Sequence, residues 1–277
     1  MKPTAMTSAL LISTYNWPEA LSLILKSVAG QVVSPDVVLI ADDGSDNATK
    51  AVIEDFKQRS TLQIRHIWHP DKGFRKSSIL NQAIAACAVD YIIQIDGDCL
   101  LHPNFVEDHL RAAKQGVFLA GSRINIKDTF RDALFATQRI QYPLGFHGLR
   151  NKTRRIYWPF LGRFYRPKNN FSKQFRGCNT SFWRDDFIRI NGYNEAFEGW
   201  GREDSDLAYR LLHLGCSLQR LKHRGLLYHI PHQTLAKDRL AHNDALEQKT
   251  ITEKIVRATQ GLDQYAVKAT GDTSNTI

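Results

Sequence analysis

The sequence predicts an α/β fold: a mostly parallel sheet flanked by helices. Three observations predict it. Short, apolar, β-branched runs alternate with helical stretches across the first 121 residues. Prolines sit where a first helical turn tolerates them. Polar clusters recur directly after the apolar runs, where the carboxyl edge of a parallel sheet would gather them.

The strand readings are residues 9–13, 37–41, 62–68, 91–95 and 117–120, each apolar enough for burial on both faces. Helical readings fall between them, at 18–29, 48–59, 76–87 and 103–115, with Pro18 and Pro103 at two starts. Such alternation implies βαβ units. Residues 122–177 read as an irregular, basic and aromatic insertion with Pro143, Pro159 and Pro167. Regular signals return at 180–184, 186–190 and 205–214, then at 217–221 and 226–230. A polar helix over 235–258 follows, and a small, polar tail from 261 to 277 reads as frayed. The organisation is one domain: a first half 1–121, the insertion 122–177, a second half 178–260 and the tail.

Composition narrows the function classes. The 277 residues are 43% hydrophobic and 23% charged, a soluble globular balance. No apolar run approaches the roughly 18 residues that a membrane span needs, and residues 1–13 read as a first strand rather than a signal peptide. Cys87, Cys99, Cys178 and Cys216 are scattered without a CxxC pair, which argues against structural zinc or a disulfide framework and fits a reducing cytosol. The net charge is +9, yet one acid-free interval between Asp132 and Asp185 carries eleven basic residues, leaving the rest at −2. Tyr157, Trp158, Phe160 and Phe164 are among the aromatics that interleave it. Basic plus aromatic suits an anionic membrane surface, an anionic glycan or nucleic acid; the plain alternative is a solvated loop.

Two acidic clusters about a hundred residues apart carry most of the chemistry. Asp96-Gly97-Asp98 ends the run 91–95. Two carboxylates one residue apart can reach one hard cation, and Gly97 lets backbone approach a ligand. Mg²⁺ or Mn²⁺ prefers oxygen donors and shares them with phosphates, which would neutralise a departing nucleoside diphosphate. The second cluster is Gly199-Trp200-Gly201-Arg202-Glu203-Asp204-Ser205-Asp206. Helix capping explains one of these acids, but not Trp200. A sugar stacked on Trp200, with Asp204 accepting a hydroxyl proton, makes a transferase site. Crowded like charges would also raise one carboxyl pKa. Together the clusters point to transfer from a nucleotide-sugar.

Other candidates surround them. Thr14-Tyr15-Asn16 follows the first strand and Asp42-Asp43-Gly44-Ser45 the second. An acid there can accept hydrogen bonds from ribose or base, while Ser45 or Asp46 caps the next helix. Arg75 can reach a diphosphate or base through charge-assisted bonds, and Asn81, on the following helix, is a candidate to face the site. Late in the chain, His229 and His232 can offer imidazole to the same metal, with His229 preferred.

Taken in order, Ser13-Thr14-Tyr15-Asn16, Ala41-Asp42-Asp43-Gly44-Ser45 and Asp96-Gly97-Asp98 resemble glycosyltransferase family 2, with its GT-A fold. The stretches 176–180 and 191–204 resemble the carboxyl-terminal segment of galactosyltransferase-type enzymes. The resemblance covers roughly residues 8 to 233. It implies an inverting, Mn²⁺- or Mg²⁺-dependent transferase moving a hexose from a UDP-sugar to a growing bacterial lipopolysaccharide core, O-antigen or capsule. Thr14, Tyr15, Asn16, Asp42, Asp43, Arg75, Asn81 and Asp96 would bind the donor, with Asp42 near uracil and Asp96 near ribose and metal. Asp98 would hold the metal with His229, Asp204 would be the base, and Trp200 and Glu203 would line the acceptor pocket. The first half then binds the donor, and the second binds acceptor and does the chemistry. The implied location is cytoplasmic, at the inner membrane face where lipid-linked acceptors reside, with no nucleic acid as partner. Two other classes stand beside this one. A nucleotidyltransferase would want a Gly-rich phosphate loop near the N-terminus, which Thr14-Tyr15-Asn16-Trp17-Pro18 is not. A non-catalytic glycan- or nucleic-acid-binding module centred on 139–176 would leave both acidic clusters without a task.

Overall fold

The structure, a computed structural model, describes residues 6–138, 140, 148–150, 152–232 and 238–265. Its centre is a seven-stranded sheet. Four parallel strands form one side: β1 (Ser8–Thr14), β2 (Val37–Asp42), β3 (Ile64–Trp68) and β4 (Tyr91–Asp96), in the spatial order β3-β2-β1-β4. The other side adds β8 (Asn179–Trp183), antiparallel to both β4 and β6 (Val117–Ala120), and β9 (Ser217–Arg220), parallel to β6. A second sheet joins β5 (Cys99–Leu101), β10 (Leu226–His229) and β7 (Ser122–Asn125) in that order.

Strand pleating divides the core in two. Leu10, Ile12, Val38, Ile40, Ile93 and Ile95 point into one apolar cluster, together with Leu21, Ile24 and Val28 of α1 (Pro18–Ala29). Ala9, Leu11, Leu39, Ala41 and Ile92 point into the other, with Ile79, Leu80 and Ile84 of α3 (Lys76–Ala85) and Leu207 and Leu211 of α8 (Glu203–His213). Burial on both faces is what a continuous β-branched run allows. The edge strand β3 departs from that expectation, because it pairs with β2 alone and all five residues are at least partly exposed.

Local chemistry sets the helix ends. Pro18 opens α1 at a first-turn position, and Asp46 caps α2 (Asn47–Arg59) by accepting from the backbone N–H of Ala48 and Thr49. Helix α4 (Phe105–Ala112) begins two residues after Pro103.

The stretch expected to be irregular is partly ordered. Within it lie β7, the helix α5 (Asp128–Thr137), a 3₁₀ turn at Lys152–Arg155 and a short helix α6 (Pro159–Gly162). The strand escapes a pattern reading because it is four residues long and only Ile124 is buried. After β8 and α7 (Arg184–Arg189), the last helix, α9, runs Leu240–Thr252. It stops before 258, where Lys254 takes a left-handed φ of 51°. The start expected at 235 and the tail beyond 265 lie outside the described residues.

The strand order places β1 between β2 and β4. The chain therefore leaves β1 toward opposite sides, and the crevice beyond its carboxyl end is a topological switch point, where ligands settle in open α/β sheets. Register puts Thr14 beside Asp42, and Ser13 beside Asp96, at that edge.

Candidate active site

The β1–β2 side of the crevice is closed by its own hydrogen bonds. Asp42 is fully buried; its Oδ1 accepts from Ser45 N (2.8 Å) and its Oδ2 faces His66 Nε2 (2.9 Å). Burial works against that charge, but the His66 and Ser45 contacts prevail and lower the pKa. Asp43 faces His69 Nε2 at 2.7 Å and accepts Arg75 N at 2.9 Å, yet burial wins and raises its pKa. Asn16 (φ 43°) accepts Asp46 N through its side chain, and its own N–H donates to Ser45 Oγ. Thr14 is buried, while Tyr15 is half exposed and donates to Asp71 Oδ2 at 2.9 Å.

Two donor-side expectations change. Asp42 braces the β2 turn and presents no surface to a base. Asn81 does not face the crevice: it is fully buried, donates to Tyr193 O and Glu195 Oε1, and accepts Tyr193 N. Arg75 folds back onto its loop, its Nη2 donating to Pro70 O (2.6 Å), with its Nε buried and unpartnered.

The β4 edge is more open. Gly97 presses against β1: a Cβ there would lie 2.9 Å from Ser13 O. Asp98 then turns toward the second sheet. Its Oδ2 is 3.3 Å from His229 Nε2 and 3.1 Å from His232 Nε2, and Ile230 N donates to Asp98 O. All three donor atoms lie within 4.8 Å of one another. One carboxylate oxygen and two imidazole nitrogens form a fitting donor set for a divalent ion, and they suit Mn²⁺ better than Mg²⁺, which favours all-oxygen shells. Both histidines join the set, not His229 alone. Asp96 does not: its Oδ1 accepts from Ser13 Oγ (2.9 Å) and Lys76 Nζ (2.6 Å).

The second acidic cluster meets the β4 edge at Lys76, whose charge both Asp96 and Glu203 favour. Arg202, at φ 78°, ends the glycine-rich approach and pairs with Asp244 at 2.5 Å. Asp206 is fully buried in an ion pair with Arg210 (2.8 Å) and accepts Thr250 Oγ1, so it is structural. Asp204 accepts Gly177 N (2.8 Å) through Oδ2 and Ser205 N (2.7 Å) through Oδ1. Each of its oxygens keeps a lone pair for a substrate. The crowding predicted from sequence acts on Glu203: burial, then Asp204, push its pKa up to about 7, and its Oε2 is buried without a partner. Trp200 is 39% exposed beside it in the chain.

Lys76 joins the two clusters electrostatically. Burial opposes its charge, but Asp96 and Glu203 outweigh burial and raise its pKa well above the usual lysine value. A second link runs through Gln94. Tyr193 Oη donates to Gln94 Oε1 (2.9 Å), Gln94 Nε2 donates to Gly177 O (3.1 Å), and Gly177 N donates to Asp204. Sequence reasoning passed over Gln94, Gly177 and the exposed Trp68 that ends β3. The one readable signal was Gln94, a polar residue inside an otherwise apolar strand. A cavity of about 390 Å³, lined by Asp108, Tyr157 and Arg224 among others, shares no residue with these clusters.

Residues 9–183 match the profile of glycosyl transferase family 2. The chain belongs to that family. A second profile, described as the N-terminal domain of galactosyltransferase, matches residues 163–233 and so includes Trp200, Glu203, Asp204 and His229. Among curated family relatives, chondroitin synthase of Escherichia coli is 25% identical over 80% of this chain and 34% of its own length. Validoxylamine A glucosyltransferase of Streptomyces hygroscopicus subsp. limoneus is 27% identical over 73% and 47%. Hyaluronan synthase of Pasteurella multocida is 24% identical over 75% and 23%. The chain thus spans less than half the length of these relatives. Among solved structures, S. aureus TarS 1–349 in complex with UDP superposes with a TM-score of 0.61 at 12% identity, covering 94% of this chain and 68% of that one. That likeness agrees with the GT-A expectation for the fold.

Proposed function

We propose that the chain is an inverting glycosyltransferase that moves a hexose (glucose, galactose or N-acetylhexosamine) from a UDP-sugar to a growing cell-surface glycan of the lipopolysaccharide core, O-antigen or capsule kind. The observation that carries this reading is the meeting of the two acidic clusters at Lys76, which bonds Asp96 and whose charge Glu203 also favours, at the switch-point edge of a family 2 sheet with the Asp98–His229–His232 set two residues on from Asp96. The UDP held by the TarS neighbour and the polysaccharide synthases among the relatives support it.

Asp204, oriented by the Gly177 and Ser205 N–H groups, takes the proton of an acceptor hydroxyl. The hydroxyl oxygen attacks the anomeric carbon from the face opposite UDP, so the configuration inverts. Trp200 offers a ring face to the sugar. Protonated near neutrality, Glu203 donates a hydrogen bond within the acceptor pocket. Asp43, Arg75 and Tyr15 bound the nucleotide end. Asp98, His229 and His232 would hold a divalent cation, which neutralises the departing diphosphate when bound.

In this reading turnover occurs in the cytoplasm, in peripheral contact with the inner face of a membrane. Among the described residues no helix is long and apolar enough to cross one. Ile156, Trp158, Phe160 and Phe164 are each about half exposed or more and alternate with Arg155, Arg163 and Arg166. This pattern suits shallow contact with an anionic leaflet.

The test is UDP release from a UDP-sugar panel, with Mn²⁺ or with EDTA, on wild type and Asp98→Ala. Metal-dependent release from one donor, lost in the variant, is expected. A product that retains the donor's anomeric configuration refutes the mechanism. Pyrophosphate release from UTP and a sugar 1-phosphate would instead make the chain a nucleotidyltransferase.

A further inference from the structure

A small cavity of about 80 Å³ is lined by Arg123, Arg154, Arg176 and Arg220, with Asn125 and Gln174 and no acid. Among the described residues, three of the guanidinium groups have neutral partners: Arg154 donates to Arg123 O, Arg176 to the carbonyls of Lys173 and Phe175, and Arg220 to Ser172 Oγ. Two polar atoms there are buried and find no partner among the described residues, the Arg220 Nε donor and the Asn125 Oδ1 acceptor. Burial pushes the Arg220 pKa down, and the charges of Arg154 and Arg176 add to the effect. Four like charges around one hollow repel one another, and an anion at the centre would reverse that balance. Guanidinium groups grip phosphate and carboxylate oxygens in pairs, and the volume suits one such group.

The placement says which substrate would bring the anion. Arg176 adjoins Gly177, whose N–H holds Asp204. Asn125 is the register partner of His229. Further walls come from residues 121–123 at the start of β7, from Gln174, from the Lys152–Arg155 turn and from the end of β9. None comes from β1, β2 or β3, whose ends form the nucleotide side. We propose that this pocket binds an anionic group of the acceptor, a phosphate, sulfate or carboxylate, close to the hydroxyl that Asp204 deprotonates. The proposal rests on the transferase reading.

The experiment is calorimetric titration of the full chain with inorganic phosphate at low ionic strength, without and with saturating UDP. One phosphate site is expected, weakened at least tenfold by Arg154→Gln and by Arg220→Gln, and unaffected by UDP or by Arg257→Gln, a surface control. Circular dichroism checks that each variant folds, and Arg154→Gln, half exposed at a turn, keeps the test open should Arg220→Gln fail to fold. Absent phosphate binding while UDP still binds overturns the pocket and spares the transferase reading. Displacement of phosphate by UDP assigns the arginines to the donor and overturns the acceptor assignment. Equal weakening by Arg257→Gln reduces the effect to net charge and likewise overturns it.

Discussion

Two acidic pairs end strands of the same sheet, one on each side of β1, and meet opposite fates. Asp42 and Asp43 are adjacent, so their side chains leave opposite faces of β2, and each finds a histidine within 2.9 Å, on or just after β3. Asp96 and Asp98 are separated by Gly97, and they part company: Asp96 is held by Lys76, while Asp98 turns to a second sheet and meets two histidines. In the first pair each acid is closed by a histidine and a backbone N–H. The other places one acid, Asp98, in a three-donor set with His229 and His232 whose ligand atoms lie within 4.8 Å of one another and could hold an ion. The difference teaches that acidic clusters at the carboxyl edge are not equivalent. What separates brace from binder is whether the fold supplies enough internal partners.

Sharp tests of this contrast run from large effects to small. Asp204→Asn keeps the shape and loses the base, so kcat should fall about 10²- to 10⁴-fold with folding intact, measured as UDP release with acceptor present. A fall of less than tenfold would move the base elsewhere, with Glu203 the first place to look. Asp98→Ala should abolish Mn²⁺ binding, followed by paramagnetic relaxation, while the unfolding midpoint barely moves; a large stability loss would make Asp98 a brace like Asp42. Asp42→Asn should do the reverse, costing about 1–3 kcal/mol of stability in urea with donor KM within a few-fold. If KM instead rises tenfold at unchanged stability, Asp42 reaches the base after all.

The smallest effect is a slope. The folded pKa of Glu203, about 7, lies above the ordinary carboxyl value. Its protonated form is therefore the one the fold favours, and that stability is present at low pH and lost as pH rises through about 7. Wild type should lose roughly 1–3 kcal/mol more than Glu203→Gln between pH 5 and 8, read from urea midpoints. Parallel curves would remove the raised pKa and, with it, the proton that Glu203 offers to an acceptor.

Most of the donor half was legible because its strands are continuous apolar runs buried on both faces, and periodicity reports burial. Residues 117–120 were found to the residue, and α1 likewise. The second sheet was not, because β5 and β7 are three and four residues long and draw their order from pairing with β10. Residue roles followed the same division. The Asp98–histidine association could be read as a motif, but the sharing of both imidazoles depends on the turn at Pro231 returning His232 to the site. Asn81 and Asp42 were misread because a polar residue on a nucleotide-binding edge looks alike in sequence whether it faces a ligand or a carbonyl. The arginine hollow draws on four separate segments, and no linear pattern could have assembled it.

The Gln94 relay has a consequence for which acceptors can react. One amide side chain joins the strand that ends in the Asp96 turn to the carboxylate of Asp204, with the Gly177 peptide as the only intermediary. Gly177 has no room for a side chain, since a Cβ would come within 2.9 Å of that of Asp204. In the proposed reaction the span between the departing oxygen and the incoming one would therefore be a gauge set by the length of a glutamine. Acceptors would be graded by reach: a hydroxyl too short or too long for the gap is refused before its identity is ever sensed.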